Sequence, residues 1–262
     1  MKAQDTQTVT PENTHEDKKV LMELAGLGRS FGGVKAVDNV SMKLRAGIVT
    51  TLVGPNGAGK TTLFNLITGQ LARDTGHVTW LGRRIDRIKP HEAARLGMVR
   101  SFQDLRLFEK MTVDENIMTT FERSSLPRIT TPARRAERRD FIDRILERTA
   151  LTDKRDTRAS DLAYAERKFL SLARIIAAQG RLWLLDEPAS GLDPQSYNRL
   201  LQIIRDEVQT GVTVCIIEHN LDIVVGISDR IAFLDRGRLL ADDTPQVVLN
   251  DPKLASIYFG ER

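Results

Sequence analysis

Short apolar runs and longer helical patterns alternate along most of this chain. Three nearly continuous β-branched and aliphatic runs predict buried strands: residues 48–53, 182–187 and 212–217. Apolar positions at helical spacing predict helices between them: residues 63–69, 170–178 and 197–208. Nearer the start, residues 20–24 predict a strand, residues 29–33 predict a turn, and the apolar–polar alternation of residues 37–44 is typical of a half-buried strand. Residues 99–103 predict a further short strand. The pattern therefore predicts an α/β fold with an antiparallel β layer ahead of the first buried strand.

The pattern changes between about residues 105 and 165, where helical spacing replaces the alternation of strand and helix. Thr112 and Glu115 stand at the spacing of a capping box at the start of a helix. Residues 133–149 interleave arginines with apolar positions, which predicts either a solvated helix face or contact with an acidic membrane surface. We expect an all-helical insertion here. Residues 1–18 are polar and predict a disordered tail, which leaves residues 19–262 as the folded domain.

Composition narrows the class of protein. A net charge of +4 on 262 residues is too small to argue for nucleic-acid binding. No apolar run approaches the roughly 18 residues of a membrane-spanning helix, and no apolar segment near residue 1 indicates a secretory signal. The single Cys215 excludes an internal disulfide and fits a reducing cytosol.

A glycine-rich motif follows the first buried strand and precedes a predicted helix. Its sequence fits G-x-x-x-x-G-K-[ST], the phosphate-binding P-loop, and it consists of Gly54, Pro55, Asn56, Gly57, Ala58, Gly59, Lys60, Thr61 and Thr62. The glycines let several backbone N–H groups point at one anion in front of a helix amino-terminus. We expect Lys60 to reach the β- and γ-phosphates of a nucleotide and the Thr61 hydroxyl to bind Mg²⁺.

Polar side chains also end the other two buried runs. Asp186 and Glu187 end one run, and His219 follows the other. Ligands of open parallel sheets bind where strands end in this way. We expect Asp186 to hold the Mg²⁺ shell, Glu187 to orient or deprotonate water, and His219 to contact the γ-phosphate. Phe31 follows the first strand, where it either stacks on a nucleobase or packs against its own layer.

With these motifs in this order, residues 20–260 resemble the ATP-binding-cassette (ABC) family. The resemblance implies a P-loop ATPase core with an antiparallel β subdomain and an inserted helical subdomain. It assigns Gln103 to the loop that senses the γ-phosphate and Mg²⁺ next to the helical subdomain. It places Glu187 as general base, His219 as the switch histidine and Phe31 on the adenine, and it puts Asp193 in the D-loop.

The family signature, usually Leu-Ser-Gly-Gly-Gln, is altered in this chain. It lies at Leu162, Ala163, Tyr164, Ala165 and Glu166. Ala163 lacks the hydroxyl that would donate to the γ-phosphate bound on a second subunit, and Ala165 adds a methyl group where glycine allows close approach. Loss of one such donor costs about 1.5–3 kcal/mol if nothing replaces it. In a heterodimer, we expect this signature to form the slower of two ATP sites.

Further details resemble the ATPase subunits of branched-chain amino acid importers. They lie in residues 99–108, 111–116, 218–220, 226–230 and 258–261. The resemblance implies ATP and Mg²⁺ as cofactors. It implies transmembrane permease subunits, a second ATPase subunit and, indirectly, a periplasmic binding protein as partners. The chain would lie at the cytoplasmic face of the inner membrane. Three alternatives remain open. They are a urea, amide or other amino-acid importer, a soluble cassette ATPase acting on nucleic acid or ribosomes, and a regulatory subunit that hardly hydrolyses ATP.

Overall fold

A computed structural model describes residues 18–123 and 132–259. The predicted tail therefore lies outside the described residues, apart from Lys18. Ten strands are described: β1 Val20–Phe31, β2 Val34–Arg45, β3 Val49–Val53, β4 Thr75–Trp80, β5 Arg83–Ile85, β6 Met98–Arg100, β7 Leu182–Asp186, β8 Thr213–Ile217, β9 Arg230–Asp235 and β10 Arg238–Asp243. The helices are α1 Lys60–Ile67, α2 Pro90–Arg95, α3 Val113–Met118, α4 Pro132–Thr149, α5 Tyr164–Ala177, α6 Pro194–Gln209, α7 Leu221–Ile227, α8 Pro245–Leu249 and α9 Pro252–Phe259.

The strands form two sheets. An antiparallel sheet has the order β2-β1-β4-β5, and a second sheet has the order β10-β9-β3-β8-β7-β6. In the second sheet β6, β7, β8, β3 and β9 are parallel, and β10 adds an antiparallel edge. This arrangement confirms the prediction of an α/β fold with an antiparallel β layer. The carboxyl ends of the parallel strands all meet at one edge, where the P-loop, Gln103, Asp186, Glu187 and His219 lie.

The central strands are buried on both faces, which explains their continuous apolar sequences. In β7, Leu182 and Leu184 pack towards the antiparallel sheet and α1. The alternate residues Trp183 and Leu185 pack towards α5 and α6. The period of two along one strand therefore supplies side chains to two separate hydrophobic cores.

The described residues between β6 and β7 are mainly helical. Helix α3 begins with the capping box that the sequence predicts: Thr112 Oγ1 accepts from Glu115 N at 3.2 Å, and Glu115 Oε2 accepts from Thr112 N at 2.8 Å. Helix α4 buries Ile142, Ile145 and Leu146 in the same core as α5. Contact of its arginine-rich side with a membrane stays a prediction, as do the subdomain bounds at 105 and 165. No helix among the described residues is long and apolar enough to cross a bilayer.

Three element boundaries differ from the sequence-based prediction. The segment expected as a turn at Arg29 and Phe31 is the end of β1, which irregular pairing with β2 lengthens. The strand expected at residues 99–103 ends at Arg100, so Gln103 lies in an exposed loop. The strand predicted over residues 182–187 ends at Asp186, so Glu187 lies just past it.

Candidate active site

The P-loop joins the carboxyl end of β3 to the first turn of α1. Gly54 and Gly59 adopt φ of 143° and 101°, a region that favours glycine. A Cβ on Gly54 would collide with the carbonyl oxygen of Leu234, and one on Gly59 would collide with that of Ala36. The loop is therefore clamped between β9 and β2, and both glycines are needed for this close approach.

Lys60 is buried at the first position of α1. Its Nζ donates to Gly54 O at 2.6 Å and to Pro55 O at 3.0 Å. Burial lowers the pKa of the Lys60 ammonium, and the charges of Glu187 and Asp186 raise it again. The structure thus brings the P-loop lysine and both strand-end carboxylates into one electrostatic environment, as the sequence predicts.

Asp186 ends β7 and is almost fully buried. Its backbone N–H donates to Ser101 Oγ at 2.8 Å, which ties β7 to the loop after β6. Burial raises the pKa of the Asp186 carboxyl, while the Arg100 guanidinium and the Thr61 hydroxyl lower it. Oδ1 of Asp186 is buried and accepts no hydrogen bond from the residues that the structure describes. This oxygen is a candidate metal ligand beside Thr61.

Arg100 is the partner of Asp186 that sequence reasoning missed. Its Nη2 lies 3.3 Å from Asp186 Oδ2, and the two side chains are only 5% and 2% exposed. Its Nη1 donates to Asn65 Oδ1 at 2.6 Å, and its guanidinium lies 5.4 Å and 5.1 Å from the ring centroids of Phe64 and Phe102. A cation inside the short apolar strand β6 was the signal that could have identified it.

Glu187 follows Asp186 and adopts a left-handed conformation with φ of 47°. Its N–H donates to Ile217 O at 3.0 Å, so the β7–β8 ladder extends one residue past the strand. His219 lies after β8, and its Nδ1 is 3.6 Å from Glu187 Oε1. The structure therefore brings Glu187 and His219 together. The left-handed residue turns the chain sharply out of the sheet at the carboxylate that the sequence selects as general base.

Gln103 lies near these carboxylates. It lines a small cavity together with Asp186, Glu187 and Lys168. Phe31 lies at the tip of the β1–β2 hairpin, paired with Val34 and 44% exposed. The same hairpin contacts the P-loop, because Ala36 abuts Gly59. Arg29 stacks on the Phe31 ring at 4.9 Å from its centroid.

The residues predicted to act on a second subunit's nucleotide lie at the start of α5 and α6. Leu162 is buried, whereas Ala163 and Tyr164 are exposed at the amino-terminus of α5. Glu166 Oε2 accepts from Ala163 N at 2.8 Å, but alanine has no oxygen to return the bond. Asp193 caps α6, with Oδ1 accepting from Gln195 N and from Ser196 N, each at 3.0 Å. These contacts hold Asp193 in a structural role within this chain.

Two further charged residues of the site were also missed. Lys168 donates from Nζ to Glu187 O at 3.1 Å and to Pro188 O at 3.2 Å. Glu218 is 2% exposed, and its Oε1 accepts from Ala189 N at 3.3 Å. Lys168 shares a helix face with the buried Leu172 and Ile175, so a lysine on the apolar face of α5 was the available signal.

Comparison with known proteins agrees with this geometry. The family model described as ABC transporter matches residues 37–190. The chain is 38% identical to the high-affinity branched-chain amino acid transport ATP-binding protein LivG of Salmonella typhimurium, over 92% of this chain and 98% of that protein. It is 37% identical to the corresponding protein BraF of Pseudomonas aeruginosa, with the same shares covered.

A solved structure shows the same fold. The ADP conformation of an ATP-binding cassette of an ABC transporter superposes with a TM-score of 0.80 at 30% identity. The superposition covers 93% of this chain and all of that one. The matched family model, the relatives and the shared cassette fold together show that this chain belongs to the ABC transporter family.

Proposed function

We propose that this chain is the Mg-ATP-hydrolysing subunit of an importer for branched-chain amino acids, held at the cytoplasmic face of the inner membrane. One observation supports the ATPase function: the P-loop, Asp186, Glu187 and His219 lie together at one edge of the sheet. The relatives named for branched-chain amino acid transport support the cargo.

Nucleotide phosphates would bind at the amino-terminus of α1. Backbone N–H groups of the P-loop and the positive end of the helix favour an anion there. Lys60 now donates to two loop carbonyls, and phosphate oxygens would accept the same hydrogen bonds as charged acceptors. Phe31, at the hairpin that abuts the loop, would stack on the adenine.

The oxygen donors at this edge fit Mg²⁺. Thr61 and the unpartnered Oδ1 of Asp186 would hold the ion, with Gln103 reaching it from the loop after β6. Mg²⁺ is commonly bound by one or two protein oxygens plus substrate phosphates. Among the described residues there is no cluster of three or more His, Cys, Asp or Glu side chains that could hold a metal ion. The bound ion would neutralise charge on the β- and γ-phosphate oxygens.

Glu187 would accept a proton from the attacking water as the water adds to the γ-phosphorus. The charge of Glu187 acts on the buried ammonium of Lys60, which supports a position for this carboxylate beside the P-loop. His219, beside Glu187 and 55% exposed, would donate to the γ-phosphate and fix its orientation. The bond between the γ-phosphorus and the oxygen of the β-phosphate then breaks, which leaves ADP in the P-loop and releases inorganic phosphate.

A second ATPase subunit would complete the site. The amino-terminus of α5, with Leu162, Ala163, Tyr164, Ala165 and Glu166, is exposed at Ala163 and Tyr164 and would face the nucleotide of that subunit. Asp193, at the start of α6, would face the same nucleotide. The missing Ser hydroxyl at Ala163 supports a dimer whose two sites differ in rate.

Permease subunits would contact the groove between the sheet and the helices after β6. This groove of about 300 Å³ is lined by Thr68, Phe102, Arg106, Thr120 and Arg174. Nearby, Phe108 and Met111 are 46% and 38% exposed. Asn116 fixes this segment in place, donating from Nδ2 to the carbonyls of Phe108 and Met111. An ordered segment that presents apolar side chains fits a protein partner.

The proposal is tested with Glu187→Gln in the assembled transporter. We expect ATP hydrolysis to fall by about 100- to 10,000-fold while nucleotide binding persists, because only the proton acceptor is lost. The matched control is Glu23→Gln, which removes a surface carboxylate whose neighbour Lys43 lies at 3.7 Å. Full hydrolysis by Glu187→Gln would contradict the proposed mechanism.

The cargo is tested separately in cells that lack this chain. We expect them to lose uptake of labelled leucine, isoleucine and valine, and to regain it with the wild-type chain but not with Glu187→Gln. Loss of urea or amide uptake instead would show that the cargo assignment is wrong. Salt-dependent binding of the chain to nucleic acid would favour the soluble alternative.

A further inference from the structure

The segment that carries Glu187 into α6, residues 187–191, is held by side chains from two other elements. Lys168 of α5 donates to the carbonyls of Glu187 and Pro188. Glu218, at the end of β8, accepts from the N–H of Ala189. The segment begins at a non-glycine residue in the left-handed region, which costs free energy unless surrounding contacts impose it.

Lys168 is placed to impose that conformation. Its ammonium is partly buried between two carboxylates: burial lowers the pKa of Lys168, and the charges of Glu218 and Glu187 raise it again. Its Nζ donates two hydrogen bonds from this position. Both acceptors are carbonyls of consecutive peptides, starting with that of Glu187 itself. Fixing these peptides fixes the backbone from which the Glu187 side chain projects.

Helix α5 approaches the same segment at a second point. The Tyr164 hydroxyl lies 3.5 Å from Ser190 O, and a Cβ on Gly191 would come within 2.9 Å of the Tyr164 ring. The Lys168 ammonium also lies 5.5 Å from the centroid of the Tyr164 ring. One face of α5 therefore contacts the chain on both sides of the turn after Glu187.

We infer that Lys168 is a positioning residue for Glu187, holding the backbone of the general base through the carbonyls of Glu187 and Pro188. The inference rests on the proposed role of Glu187 in ATP hydrolysis. Lys168 touches neither the attacking water nor the phosphates in this scheme. Its loss should therefore affect the chemical step and leave nucleotide binding intact.

The first experiment compares Lys168→Met with wild type in the assembled transporter. Methionine keeps the unbranched side chain and removes the donors. We expect kcat for ATP to fall by roughly 10- to 100-fold, since a small misplacement of a catalytic group has that effect, with KM and nucleotide affinity unchanged. Lys43→Met, an exposed lysine on β2, is the matched control and should keep wild-type kcat. Lys168→Arg keeps the charge and should recover part of the rate.

A double-mutant cycle separates positioning from a general structural role. In a Glu187→Gln background, Lys168→Met should not lower the residual rate further, because the group that it positions is already gone. A further drop there, or a loss of nucleotide affinity in Lys168→Met alone, would overturn the inference. If Lys168→Met keeps the wild-type kcat while Glu187→Gln loses activity, the inference about Lys168 is wrong and the proposed function stands. Full activity in Glu187→Gln would instead remove the proposed function on which it rests.

Discussion

At the scale of single residues, the buried pair of Arg100 and Asp186 makes a measurable prediction. Arg100→Met should destabilise the folded chain by about 3–5 kcal/mol near neutral pH, because it leaves a buried carboxylate without its cation. Urea unfolding of the two proteins measures this difference. The double variant Arg100→Met with Asp186→Asn should recover much of the loss, since no unpaired charge is then buried.

The stability of the Arg100→Met variant should also depend on pH, and it should fall as the pH rises. Burial already raises the pKa of Asp186 above its ordinary value of 3.8, and Arg100 opposes that rise. Without Arg100 the pKa rises further, so the folded state binds more protons than the unfolded state over a wider range above 3.8. Stability of Arg100→Met should therefore fall as pH rises through that range, and its deficit should be smaller near pH 5 than near pH 7.5. Equal deficits at both pH values would contradict this account.

Sequence reasoning found the residues whose chemistry has a motif and missed those that support them. The P-loop, Asp186, Glu187 and His219 follow apolar runs at recognisable positions. Arg100, Lys168 and Glu218 interrupt apolar faces, and their partners come from elements that are distant in sequence. A single sequence gives no register between such elements, so these contacts could not be derived from it.

At the scale of elements, the sequence predicted which segments form strands and helices better than where they begin. Helix α3 was found at its start because Thr112 and Glu115 form a recognisable cap. The start of α5 was placed only through the resemblance of its signature, because Ala163 stands at its N-cap position without a side-chain acceptor. Pairing with β2 extends β1 to Phe31, which propensity alone does not predict.

The N-caps of α3 and α5 make a paired prediction about stability. Removing the hydroxyl at Thr112 should destabilise the chain, and adding one at Ala163 should stabilise it. Thr112→Ala should destabilise the chain by about 1 kcal/mol, because the Glu115 N–H loses its acceptor. Ala163→Ser should stabilise it by a similar amount, because Glu166 already supplies the other half of a capping box. Thermal or urea unfolding measures both. Ala136→Ser, which adds a hydroxyl at an exposed position inside α4, is the control and should be slightly destabilising. A stabilising effect there would show that the gain at Ala163 does not come from capping.

At the scale of the whole molecule, the strand order brings distant chain segments to one edge. The order β10-β9-β3-β8-β7-β6 places the P-loop strand beside β8, and β8 beside β7. The sequence predicted the α/β class and the polar residues that follow three of these strands. It could not give this order, because β3, at residues 49–53, pairs with β8 and β9, which begin only at residues 213 and 230. The register that sets Asp186 beside Ile217 is likewise a tertiary property.

The altered signature belongs to the same scale, since its proposed contact is with the nucleotide of a second subunit. Ala165 stabilises the first turn of α5, since glycine there would reduce the stability of the folded chain by about 1 kcal/mol. Ala163 lacks a capping side chain, which reduces that stability by a similar amount. Ala163→Ser with Ala165→Gly should therefore leave the stability of the chain nearly unchanged. Any change in turnover of the double variant then reports the signature itself and not the folding of α5.

We expect that double variant to speed single-turnover ATP hydrolysis at the partner's site in the assembled transporter by about tenfold or more. The restored hydroxyl donates to a charged acceptor, an interaction of about 1.5–3 kcal/mol, and about 1.4 kcal/mol corresponds to one factor of ten in rate. Ala165→Gly alone is the control, because it lowers stability without supplying the donor and should give a smaller gain. Unchanged turnover in the double variant would show that the two sites do not differ through this signature. The dimer would then be functionally symmetric at this position, with the amide groups at the start of α5 sufficient to bind the phosphate.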